Sequence, residues 1–305
     1  MLFHGHLDVV PGREGQFEPR VEGDRLIGRG AYDMKGAAAA MMLALHDLRD
    51  EQRVRVRLGL VPDEESEEDK DRGSDQLIRE GFVGEFAITG EPTDMHVGVE
   101  AKGVLAMRLE VDGRAAHGAT PWLGDNAILR AYELFRRIEA LPFARESSEL
   151  FARPSINLGR IIGGDALNKV PDVCVIDVDI RHLPEQEPSR ILDEVAELDG
   201  ARIVSTFQRP PATVDRDSVW VRGLCEAAAP HHQGGEVSIG RDGASDAVSF
   251  LRVGIPAVEF GPVGGGHHGP DEWVSISSLA SYRRTLTDFV RNLPEHLSAA
   301  AEAGR

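Results

Sequence analysis

Near the start of the chain, "HGHLDVVPG" places His6 and Asp8 two residues apart, just past an apolar run. Residues of the same kind recur in four further places: Asp33 in "GRGAYDMKG", Glu64 and Glu65 in "VPDEE", Glu91 in "TGEPT", and His268 in "GHHGPDEWV". Two imidazoles and three carboxylates (His6, His268, Asp33, Glu65, Glu91) can hold two divalent metals when one carboxylate bridges. Each ion then has an imidazole, a terminal carboxylate, a share of the bridge and an open position. Mixed nitrogen and oxygen donors of this kind suit catalytic Zn²⁺, with Co²⁺ or Mn²⁺ as substitutes. A purely carboxylate set would suggest Mg²⁺ or Ca²⁺ instead. Adjacent glutamates on an extended segment cannot point the same way, so one of Glu64 and Glu65 is free to act as a general base.

These residues need elements that bring them together. "MLF" reads as the end of a strand, "RVRVRLGLVP" as a strand with period-two alternation, and "FAITG" and "IPAVEFG" as short buried strands. "DMKGAAAAMMLALHDLRD" reads as a helix, with Asp33 as its cap and Met41, Leu45 and Leu48 on its apolar face. "RGLCEAAAP", "DAVSFLRVG" and "SISSLASYRRTLTDFVRNLPEHL" are further helices. Strands alternating with helices predict an α/β domain with a mostly parallel sheet and flanking helices. Each candidate donor then follows a strand or opens a helix, at the sheet edge where open α/β folds bind ligands. The middle of the chain has a different order. "GVLAMRLEVDGRAAH", "GDNAILRAYELFRRIEAL", "PSINLGRIIGG", "DVCVIDVDIRHLP", "EPSRILDEVAEL" and "ARIVSTFQ" read as βαββαβ, a ferredoxin-like arrangement. The expected division is 1–97 and 208–305 for the α/β domain, with 98–207 inserted in it.

Composition narrows the partners. The formal net charge is −17, with 51 acidic against 34 basic residues. Only four of the basic residues are lysines (Lys35, Lys70, Lys102, Lys169). Such an acidic surface repels nucleic acid and anionic membranes, so neither is expected as a partner. It also fits a halophilic protein, in which salt screens self-repulsion. No stretch approaches a membrane span, and "MLFHGHLDVV" lacks the basic start of a signal peptide. Cys174 and Cys225 form no metal or redox pattern and read as buried thiols, which fits a cytoplasmic protein.

Six motifs in order, "HGHLDVVPG", "GRGAYDMKG", "VPDEE", "TGEPT", "GASDAVSFL" and "GHHGPDEWV", resemble the di-zinc amidohydrolases and metallopeptidases. That family includes acetylornithine deacetylase, succinyl-diaminopimelate desuccinylase, aminoacylase and glutamate carboxypeptidase. The resemblance implies a zinc-exopeptidase-like catalytic domain with an inserted dimerisation domain, and hence a homodimer. It implies two Zn²⁺, one on His6, Asp33 and Glu91, the other on Asp33, Glu65 and His268, with Asp33 bridging and a cis peptide after it. His267 is the rival of His268, whose spacing to "PDE" fits the family better. Glu64 would be the base that takes a proton from water and passes it to the leaving amine. Asp8 would hold the second ring nitrogen of His6. His117 would reach the partner subunit's active site and stabilise the oxyanion. Asn168 and Arg181 would hold the substrate carboxylate, and Ser245, with its glycine-rich loop, a second anionic group. The implied substrate is an N-acyl amino acid, of the succinyl-diaminopimelate or acetylornithine type. The alternatives are a dipeptidase or carboxypeptidase, or a truncated, non-catalytic family member. Relatives carry a longer segment before the first motif, so the amino-terminal part of the catalytic domain is expected to be missing here.

Overall fold

The computed structural model describes residues 1–65, 72–200, 202–231 and 237–303. Most of the acidic run after Glu65, residues 66–71, lies outside them. The chain divides into two compact units. One comprises Met1–Val99, Thr213–Ile239 and Ser245–Arg305; the other comprises Glu100–Ala212 and Gly240–Ala244.

The first unit carries β1 (Leu2–His6), β2 (Arg20–Glu22), β3 (Arg25–Ile27), α1 (Gly36–Asp47), β4 (Arg57–Val61), α2 (Gly73–Arg79), β5 (Ala87–Thr89) and the first three residues of β6 (Val97–Ala101). The second carries β7 (Gly103–Asp112), α3 (Ala127–Ile138), β8 (Ser155–Gly163), β9 (Val173–His182), α4 (Pro188–Ala196) and β10 (Arg202–Arg209). The chain continues with β11 (Ala212–Thr213), α5 (Val219–Ala228), β12 (Ser238–Arg241), α6 (Ala247–Leu251), β13 (Ala257–Glu259), β14 (Gly264–Gly265), β15 (Trp273–Ser275) and α7 (Ile276–Ala303).

The main sheet has the order β11-β6-β13-β5-β1-β4, with β12 also on β6. β1 pairs in parallel with β4 and β5, and β13 with β5, while β6 runs antiparallel to β13. Every residue of β1 and β5 is buried, as expected of central strands covered on both faces. α7 packs against α1 and α5. Phe86 stacks on Trp220 at 5.4 Å and meets the edge of Phe289 at 6.0 Å. The alternating "RVRVRLGLV" becomes strand only from Arg57; residues 53–56 are irregular. Period-two patterning gives a strand only where a neighbour supplies hydrogen bonds, and β4 is the last strand of its sheet.

The second unit has the sheet order β10-β7-β9-β8 with α3 and α4, the βαββαβ arrangement expected from its sequence. Burial alternates along β7 and β9, so one face is apolar and the other polar. α3 lays Ala127, Ala131, Leu134, Phe135 and Ile138 on that face at helical spacing, and the Asn126 side chain caps it by accepting from the amides of Ile128 and Leu129. Cys174 is buried and Cys225 only half-buried, where the sequence predicted two buried thiols. No helix of the described residues is long and apolar enough to cross a membrane.

Candidate metal centre

The register of the main sheet brings the donors to one edge. His6 ends β1 and lies opposite Val61, the last residue of β4, so the chain leaving β4 delivers Glu64 and Glu65 just beyond His6. His4 lies opposite Thr89 on β5, so Glu91 follows at the level of His6. Asp33 arrives from the turn between β3 and α1. It is not the cap of α1: that helix starts at Gly36, and Asp33 has extended dihedrals (φ −118°, ψ 96°). Its carboxylate turns to the histidines instead, and its peptide bond to Met34 is cis. The next side chain, Met34, is fully buried against Gly5 and Gly90. A Cβ on either glycine would lie 2.3 or 2.5 Å from its Cε, so the glycine within "HGH" makes room for the turn that carries Asp33.

The two oxygens of Asp33 face different partners. Oδ1 lies 3.0 Å from His6 Nε2, which is 3.8 Å from Glu91 Oε1. Oδ2 lies 3.1 Å from His268 Nε2, itself 3.1 Å from Glu65 Oε1. Four of the five donors that the sequence singled out thus converge around the fifth, the Asp33 carboxylate. His267 converges too, with Nε2 2.6 Å from Asp33 Oδ2. Glu64 comes close to His6 as well, with donor atoms of His6, Glu64 and Glu65 all within 4.8 Å of one another.

Asp8 is placed differently from expectation. His6 Nδ1–H donates to the backbone carbonyl of Asp8 at 3.1 Å, while the Asp8 carboxylate stands off at 3.5 Å. That carboxylate instead accepts from the amides of Glu64 (3.2 Å) and Glu65 (2.8 Å). The carbonyl contact fixes the tautomer that leaves Nε2 open to a metal, and the carboxylate fixes the segment carrying the two glutamates.

The electrostatics of this cluster follow from its crowding and burial. Burial pushes the Glu91 carboxyl well up, and the charge of Asp33 adds to it. Burial, with Asp33 again, raises Glu65. Burial and the Asp246 carboxylate carry Glu64 to about 8. Burial would also raise Asp33, but hydrogen bonds from His267, His268 and His6 hold it far below the usual range. Burial disfavours charge on His6, yet Asp33 and the other carboxylates carry it up to about 9. Crowded, partly desolvated carboxylates beside imidazoles are what bound cations relieve, and the donor types fit divalent transition metals.

The model of peptidase family M20/M25/M40 matches residues 2–292. The chain belongs to this family. M20 membership makes it a hydrolase of amide or peptide C–N bonds and implies divalent-metal binding. A Mycobacterium tuberculosis protein named as a succinyl-diaminopimelate desuccinylase is 31% identical over 272 residues, which is 86% of this chain and 73% of the relative. An Erythrobacter litoralis succinyl-diaminopimelate desuccinylase is 28% identical over 297 residues, 92% of this chain and 78% of the relative. Among solved structures, a Staphylococcus aureus tripeptidase shares the fold with a TM-score of 0.78 at 22% identity, covering 96% of this chain and 80% of that one. A Sulfolobus solfataricus M20 metallo-carboxypeptidase does so at 0.74 and 18%, covering 96% and 85%.

In this M20 chain the remaining singled-out residues are spread out. His117 and Asn168 are neighbours in the second unit: Gly118 N donates to Asn168 O at 2.7 Å, and both side chains are exposed. Arg181, on β9, pairs with Asp179 at 3.0 Å and makes no hydrogen bond to either. Ser245 is buried, and its Oγ accepts from the amide of Ala247 at 3.1 Å at the start of α6.

Other contacts had no sequence signal beyond residue type. Arg29 and Glu272 form a buried pair at 2.7 Å. Glu272 Oε1 also accepts from the amides of Tyr32 (3.0 Å) and Asp33 (3.1 Å), and Arg29 donates to the His268 carbonyl at 3.2 Å. Asp246 is buried and lies 3.4 Å from Arg72, which is 3.6 Å from Glu64. Its other oxygen accepts from Ser74, 3.0 Å from the buried His4. Gly261 is required by contact: a Cβ there would lie 2.1 Å from the Glu91 carbonyl oxygen. Backbone cannot swing aside as a side chain can. Gly261→Ala is therefore expected to cost about 1–3 kcal/mol of stability and to lower bound metal. Thermal melting and metal analysis check this, and a variant matching the parent in both would show that the segment after β5 yields freely.

Proposed function

We propose that this chain is a di-zinc amidohydrolase that releases the amine of an N-acyl amino acid, with a succinyl or acetyl group on a diaminopimelate- or ornithine-type amine. The observation that carries the reading is the convergence of His6, Glu91, Glu65 and His268 on the two oxygens of Asp33, with Glu64 alongside. His6, Asp33 and Glu91 would hold one ion; Asp33, Glu65 and His268 would hold the other. When bound, the two ions supply Lewis acidity to the scissile carbonyl and acidify water. Glu64 takes a proton from the attacking water at its carboxylate and returns it to the leaving nitrogen. Asp8 keeps Glu64 and Glu65 in their turned-apart arrangement through their amides. Asn168 and Arg181 bind the substrate carboxylate, and Ser245 hydrogen-bonds a second anionic group. The acyl preference rests on the names of the two desuccinylase relatives.

His117 serves the partner subunit's reaction, which requires a homodimer through the second unit. Supporting this, β8 is an end strand of its four-stranded sheet and carries exposed Ile161 and Ile162, while α3 exposes Leu129 and Tyr132.

A panel of N-succinyl and N-acetyl amino acids and dipeptides tests the reading. Hydrolysis of an N-acyl amino acid is expected, abolished by a chelator and restored by Zn²⁺ or Co²⁺. Hydrolysis that a chelator leaves intact would overturn the mechanism, and cleavage of dipeptides alone would move the chain to the peptidase side of its family.

A further inference from the structure

The His267–His268 pair offers more than a choice between two ligands. Consecutive side chains on an extended segment point to opposite faces. Here they do not, because the chain reverses: Gly266 and His268 both have positive φ (70° and 58°), and Gly269 N donates back to Gly266 O. Glycine suits the first position, since a Cβ there would lie 2.6 Å from the Asp271 carbonyl. Arg29 holds the turned segment by donating to the His268 carbonyl. The two imidazole rings consequently lie 4.3 Å apart, edge to face, and both Nε2 atoms reach the same oxygen, Asp33 Oδ2, at 2.6 and 3.1 Å. Tyr32 meets the edge of His267 at 6.1 Å. Both histidine side chains are about half exposed (46% and 49%), so burial does not force either inward.

Resting on the two-metal reading above, we infer that His267 is a metal ligand in addition to His268, so that the two ions have unequal donor sets. His267, His268, Glu65 and Asp33 would hold one ion, with two imidazoles, while His6, Glu91 and Asp33 would hold the other, with one. Imidazole is a stronger donor than carboxylate for borderline divalent metals. The two ions therefore bind in separate steps, the tighter one on the His267 side.

The test is Zn²⁺ titration of the chelator-stripped protein against a chromophoric competitor, with bound metal counted by elemental analysis. Parent, His267→Phe, His268→Ala and His6→Ala are compared. Phenylalanine keeps an aromatic edge against Tyr32 and His268 but offers no donor. Two resolved steps are expected for the parent. His267→Phe is expected to weaken the tighter step by more than the roughly 10- to 100-fold that follows loss of an outer partner of a metal ligand, leaving the weaker step in place. His268→Ala should weaken the same step, and His6→Ala the other. Metal-free melting of each variant shows whether the fold survives; if His267→Phe melts low, His267→Asn replaces it. Two steps unchanged from the parent in a folded His267 variant would overturn the inference while leaving the two-metal reading intact. A parent that binds no Zn²⁺ would overturn both.

Discussion

Glu64→Gln is expected to lower kcat by about 10²- to 10⁴-fold, the range for loss of a positioned general base, with KM and bound metal unchanged. Glu65→Gln, one residue away, is expected to lose metal as well as turnover. The contrast follows from how the pair is held. The Asp8 carboxylate accepts from both backbone amides and thereby fixes the segment. The side chains then diverge: Glu65 goes to His268 at 3.1 Å, and Glu64 goes toward Arg72 at 3.6 Å. Equal losses in kcat and kcat/KM would mark Glu64 as acting in the transition state alone. Steady-state kinetics with elemental analysis of both variants decides the matter. Metal lost from Glu64→Gln, or retained in Glu65→Gln, would exchange the two roles, which the closeness of Glu64 to His6 makes a real rival arrangement.

Much of this centre was legible because its parts follow strands. Parallel strands expose their carboxyl ends at one edge, so a histidine or carboxylate at or just past the end of each of β1, β4 and β5 is predicted to meet the others without knowledge of their distances. The βαββαβ order of the second unit was legible for a related reason: β7, β9 and α3 each bury one face, and their periodicities differ. Less legible were elements whose pattern has too few residues to read. β2, β3, β14 and β15 have two or three residues each, yet they form a four-stranded sheet whose strand β15 leads from the His268 loop into α7. Asp33 was read as a helix cap because aspartate before an alanine-rich helix commonly is one; only tertiary contacts with three histidines show otherwise. Arg29 and Glu272 stand 243 positions apart, and nothing local to either residue marks them as a pair.

That pair carries the largest expected effect on stability. Glu272→Gln is expected to destabilise the protein by about 3–5 kcal/mol, because it leaves the Arg29 guanidinium buried without a counter-charge. Arg29→Met should cost a similar amount by stranding the Glu272 carboxylate, whose side chain is only 2% exposed. For a chain of this size the melting temperature should fall by roughly 10 °C. The two variants are not equivalent at the metal centre. In Glu272→Gln the amide oxygen can still accept from Tyr32 and Asp33, so the turn carrying Asp33 keeps its anchor. Arg29→Met instead removes the donor to the His268 carbonyl and frees the opposite loop. The double variant Arg29→Met/Glu272→Met is expected to regain part of the stability, since two apolar side chains leave no buried charge. It loses both tethers, however, and should bind metal more weakly than either single variant. Melting curves on metal-free protein and Zn²⁺ competition on the same three variants separate the two roles. If metal affinity simply followed stability across the set, the pair would be a packing element; if the most weakly binding variant is not the least stable, the pair aligns the two halves of the centre on Asp33.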